Sequence, residues 1–128
     1  MQKYIRRLLW HFIVVGGGKI KKVTVNVTST DFPDLFKYID IRDRAYVIAS
    51  EDKKVISVSY EIVIGNSTYS ASSIAFRECS STSNKALVNK PSTGTLDKVF
   101  NGLTIYMHST VADGDLHFAK LSYTYIQL

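Results

Sequence analysis

Apolar residues recur at every second position along most of this chain, a spacing that predicts strands with one buried face. In Lys22-Val23-Thr24-Val25-Asn26-Val27-Thr28 the three valines face one way and the polar residues the other. A turn is expected around Asp31, Pro33 and Asp34. Ile39 with Ile41, then Tyr46 with Ile48, mark two short strands separated by Arg42-Asp43-Arg44. Ile56, Val58, Tyr60, Ile62 and Ile64 give the cleanest alternation, and Gly65-Asn66 reads as the turn of a hairpin joining that strand to residues 67–77. Weaker strands fall at 85–89 and 96–100. Leu103, Ile105 and Met107 follow in alternation, and a last strand runs over 116–127. About eight strands with closely spaced turn signals predict an all-β, antiparallel sandwich, jelly-roll-like, filling residues 19–128.

Residues 1–18 depart from this period. Ile5, Leu8, Leu9, Phe12 and Ile13 share one face of a 3.6-residue helix, with Lys3, Arg6, Arg7 and His11 on the other. An amphipathic N-terminal arm is expected, followed by a hinge at Gly16-Gly17-Gly18. The apolar stretch, broken by His11, makes no convincing signal peptide and is too short for a membrane-spanning helix.

Charge sharpens this division. The first thirty residues hold Lys3, Arg6, Arg7, Lys19, Lys21 and Lys22 and no acid, against a net charge of +5 for the whole chain. These thirty residues therefore carry all the excess charge, and those six cations are candidate contacts for nucleic-acid phosphates or lipid headgroups. Leu8, Leu9, Trp10 and Phe12 are candidate contacts for a membrane or a neighbouring subunit.

Chemistry is harder to find. Gly18-Lys19 lacks the remaining positions of a phosphate-binding loop. Cys79 is the only cysteine and reads as a spectator near a strand end. His108 and His117 flank Ala112-Asp113-Gly114-Asp115. If the flanking strands pair through a three-residue turn, Met107 meets Leu121, Ile105 meets Tyr123 and Leu103 meets Tyr125, which puts the two histidines on opposite faces and leaves no metal pair. Asp113 and Asp115 read as turn residues. Asn26-Val27-Thr28 and Asn66-Ser67-Thr68 match the glycosylation sequon. Tyr4, Trp10, Tyr38, Tyr46 and Tyr69 are either core or a stacking platform for sugars or bases. No nucleophile, base and orienting group can be assembled, so the expectation is no enzyme, no cofactor and no metal.

A basic arm, a glycine hinge, about eight strands and the ending Asp113-Gly114-Asp115-Leu116-His117-Phe118-Ala119-Lys120-Leu121-Ser122-Tyr123-Thr124-Tyr125-Ile126-Gln127-Leu128 resemble the layout of small single jelly-roll viral or phage capsid and capsid-vertex proteins. The resemblance is architectural. It implies a non-enzymatic virion subunit that works as a homo-oligomer or beside other virion subunits, with the arm reaching a neighbour, genome or membrane. The other reading is a carbohydrate- or ligand-binding β-sandwich module, cytoplasmic or extracellular.

Overall fold

A computed structural model describes residues 20–36, 44–65, 72–109 and 116–127. The expected helical arm and its cations up to Lys19 lie outside the described residues, as do Tyr38, Tyr69, Ile39 and Ile41, the Asn66 sequon and the Asp113-Asp115 turn. Among the described residues seven strands form one antiparallel sheet: β1 (Lys21–Asn26), β2 (Arg44–Val63), β3 (Ser72–Arg77), β4 (Ala86–Val88), β5 (Ser92–Leu96), β6 (Phe100–Ser109) and β7 (His117–Gln127). The expected turn after β1 is present, with the Phe32 amide donating to the Thr28 carbonyl at 3.0 Å and a 3-10 turn at Pro33–Leu35 that buries Leu35.

The hydrogen-bonded order is β1-β7-β2-β6-β3-β4, with β5 also on β2. β2 is the organising strand. Its residues 54–63 pair with β7 on one side and its residues 58–62 with β5 on the other. Its residues 44–49 pair with β6, in line with β5. Counting β2 as two segments gives eight in chain order, and they pair first with last, second with seventh, third with sixth and fourth with fifth.

The sheet folds back on itself. Phe76 of β3 and Phe118 of β7 are three strands apart in the hydrogen-bonded order, which in a flat sheet is about 14 Å at the usual strand spacing. Their ring centroids are 6.3 Å apart, and Tyr60 of β2 meets Phe76 at 5.4 Å. The layer β1-β7-β2-β5 therefore faces the layer β2-β6-β3-β4, with β2 passing from one to the other. Between them lie the fully buried Phe76, Phe100, Phe118, Leu35, Ile62, Ile74, Leu103, Ile105, Val55 and Val58. Each such side chain contributes roughly 1.5–3 kcal/mol as an upper bound.

The crossing point has a specific construction. Between the pairs Ala49↔Leu103 and Lys54↔Asn101, Ser50–Lys53 bulge out of β2 opposite Gly102 alone. Gly102 has φ +75°, and a Cβ there would meet the Cys79 sulfur, the Glu51 Cα at 2.8 Å and the Ala49 carbonyl oxygen at 2.9 Å. Only glycine satisfies both the left-handed backbone and that close approach.

Several sequence expectations need correction. The strands expected near Tyr46 and Ile56 are one twenty-residue strand. A second register shift between Val55 and Ser57 puts Val55 in the core and leaves Ile56 half-buried, so Ile56 falls out of the expected alternation while Val58, Tyr60, Ile62 and Ile64 keep to the core side. Gly65-Asn66 is not a hairpin turn between paired strands, since β3 pairs with β4 and β6 and not with β2. The strand expected at 96–100 is split: β5 ends at Leu96 and β6 begins at Phe100. β6 and β7 do not pair, because β2 lies between them. Their inward faces are nevertheless as expected, with Leu103, Ile105, Met107, Leu121 and Tyr123 all buried.

Candidate functional faces

The two outer faces of this folded sheet differ in chemistry. On the β1-β7-β2-β5 layer, Val58, Ile62, Leu121 and Tyr123 point into the core, so their strand neighbours Ser59, Glu61, Lys120 and Ser122 point out. The register assembles these into rows. Asn26, Ser122, Ser59 and Thr95 cross all four strands, and Lys120, Glu61 and Thr93 form the row beside them. Hydroxyl pairs tie the face together: Thr24 to Thr124 at 2.8 Å and Ser59 to Thr95 at 3.1 Å.

These rows line a concavity of about 580 Å³, to which Val27 and Phe36 from the segment after β1 and the strand positions Tyr60, Gly94 and Leu121 also contribute. Gly94 has a steric role in its wall, because a Cβ there would lie 2.7 Å from the Tyr60 hydroxyl oxygen. That position lets the Tyr60 ring reach across β5 while packing on Phe76.

The opposite layer presents a less polar face. Ala45, Tyr106, Ala75 and Leu87 form a row across β2, β6, β3 and β4. Val47, Thr104 and Arg77 form the next. Leu87 and Val47 are 55% and 57% exposed. Arg77 lies over the Tyr106 ring at 4.1 Å and donates from Nε to Asn84 Oδ1 at 2.7 Å. Stacking a guanidinium on an aromatic ring stabilises both side chains and shields Ala75 beneath them.

Of the residues singled out from sequence, Lys21 and Lys22 stand exposed at the start of edge strand β1. Tyr46 is a core-side residue. It packs against the buried cluster and donates from its hydroxyl to the Asp34 carboxylate at 3.3 Å. Burial, and secondly the neighbouring Asp34 charge, push its phenol above the ordinary value. The proposed aromatic platform thus loses the one member that lies among the described residues. Cys79, half-buried just past β3, donates its thiol to the Ala49 carbonyl at 2.9 Å and accepts from Thr104 Oγ1 at 3.8 Å, which makes it a packing element at the β2 crossing. His108 and His117 lie on non-adjacent strands. Among the described residues no group of three or more His, Cys, Asp and Glu comes together, and no helix is long and apolar enough to cross a membrane.

Sequence reading missed both the hydroxyl rows and the outer apolar row, since each is assembled from strands far apart in the chain. Alternation marked their residues as outward but could not say which strands lie side by side. No family model, curated protein or solved structure matches this chain.

Proposed function

We propose that this protein is a non-enzymatic structural subunit, most naturally of a viral or phage particle, that works by packing against copies of itself or other virion subunits. The observation that carries this reading is the nested pairing. Eight segments joined first to last, second to seventh, third to sixth and fourth to fifth, in two facing layers, follow the winding of a jelly roll, an architecture used by capsid shells and also by lectins and cupins. Because that fold serves several functions, the faces must discriminate between them.

The Ala45-Tyr106-Ala75-Leu87 row and the adjoining Val47 favour the assembly reading. Exposed apolar side chains grouped on one sheet face are characteristic of surfaces that meet another protein, and Tyr and Arg are enriched at the centres of such contacts. The basic segment preceding β1 adds a second contact element, for a neighbouring subunit, a genome or a membrane surface.

Sedimentation velocity of the full chain over a range of concentrations tests the proposal. Assemblies larger than a monomer are expected, and Val47→Asp with Leu87→Asp should shift them to monomer while far-UV circular dichroism stays unchanged. A wild-type chain that remains monomeric at every concentration, or an assembly indifferent to both charges, would refute the assignment.

A further inference from the structure

We infer that the concavity on the β1-β7-β2-β5 face is a binding site for a neutral saccharide. This rests on the lining of the concavity and is independent of the assembly reading. Its volume of about 580 Å³ falls within the usual range for small-ligand sites, and it combines apolar surface with a few placed polar groups.

The chemistry of the lining selects the ligand class. Ser59, Thr93, Thr95 and Ser122 bring hydroxyls, and Asn26 brings an amide. Each of these groups both donates and accepts, as the hydroxyls of a sugar ring do. Glu61, an acceptor, and Lys120, a donor, are register partners on adjacent strands and are the only charged residues in the lining. Their charges cancel, so nothing in the site favours an anion or a cation over an uncharged ligand. Phe36, half-buried at the edge of the concavity, provides apolar surface suited to the C–H face of a pyranose.

The hydroxyls are also preorganised. Ser59 and Thr95 are held 3.1 Å apart in a row that runs from Asn26 through Ser122. Sheet-borne side chains lose little freedom on binding, which reduces the entropy opposing a weak, polar ligand.

Saturation-transfer difference NMR on the full chain provides the test. The probes are glucose, galactose, mannose, N-acetylglucosamine and the disaccharides lactose and cellobiose, with N-acetylneuraminic acid as the charged comparator. At least one neutral sugar should receive saturation at about 10 mM, consistent with an affinity in the millimolar range or tighter. The double variant Ser59→Ala/Ser122→Ala should weaken that sugar about tenfold, from two hydrogen bonds of typical net strength. Ser122→Trp, which fills the concavity, should abolish the signal while circular dichroism remains that of the wild type. Three results would overturn the inference: no saturation of any neutral sugar, saturation of N-acetylneuraminic acid alone, or a neutral-sugar signal unchanged by both variants.

Discussion

Two glycines with the same side chain differ in what they permit. At Gly102 the backbone is left-handed, and a Cβ would strike backbone atoms of Glu51 and Ala49 that cannot rotate away. Gly102→Ala should destabilise the protein by about 3 kcal/mol or more, combining conformational strain with overpacking. Adding Cys79→Ala should recover little of this, because the backbone collisions remain. At Gly94 the nearest atoms belong to the end of the Tyr60 side chain, so Gly94→Ala should cost about 1 kcal/mol and be partly rescued by Tyr60→Phe. Urea unfolding of the four variants checks the contrast, and equal losses at both glycines would contradict it.

Tyr123 is 5% exposed, and burial pushes its phenol upward. Tyr123→Ala should cost about 3–5 kcal/mol, against less than about 1 kcal/mol for Thr124→Ala on the hydroxyl-bearing face. A Thr124 variant less stable than the Tyr123 variant would invert the assignment of faces. The Glu78 carboxyl is held below its ordinary value chiefly by the Asn101 amide, which donates to it at 3.0 Å, and then by Lys85 at 3.3 Å. A depressed folded pKa contributes stability that is present above the unfolded value of about 4.5 and is lost as pH falls through that region. Melting temperatures across pH 3–7 should therefore decline more gently on the acid side for Glu78→Gln, from a lower plateau; an unchanged acid slope would show that Glu78 is not responsible.

At the scale of elements, alternation was a reliable guide to which face is buried and a poor one to partnership. Val23, Val25 and Val27, Leu103, Ile105 and Met107, and Leu121 with Tyr123 all face inward as their spacing predicts. A period of two says nothing about the neighbouring strand, however, and two turn signals misled for that reason. Gly65-Asn66 and Asp113-Gly114 fall between β2 and β3 and between β6 and β7, strands that do not pair with each other. The bulges escaped for another reason. Nothing local in Ser50-Glu51-Asp52-Lys53 distinguishes a loop between two strands from an excursion inside one, and the deciding residue, Gly102, lies on the opposite strand. The concavity was illegible because its rows draw on β1, β2, β5 and β7 at once.

At the scale of the whole molecule, the hydrogen-bonded body begins, among the described residues, at Lys21 of β1, which pairs with β7. A chain lacking residues 1–18 should show wild-type circular dichroism and a melting temperature within a few degrees of the full chain, while its assembly changes. Loss of cooperative melting would make the arm part of the core. Arg6→Gln with Arg7→Gln, compared with Leu9→Asp in nucleic-acid retention and liposome flotation, separates a phosphate contact from an apolar one.

The nested pairing also fixes how the chain can find its fold. The innermost pair, β3 with β4, joins residues as near as Phe76 and Ala86, whereas the outermost links Thr24 to Thr124, 100 residues away. Loop closure grows harder with separation, and topologies rich in distant contacts fold in roughly milliseconds to seconds. Each inner pair, once made, would shorten the path to the next, so a route outward from β3-β4, through β5 and then β6 docking on β2, to β1 meeting β7 would close the smallest loops first. On such a route β1 pairs last, so a nascent chain would keep one edge of β7 without a strand partner until the final step.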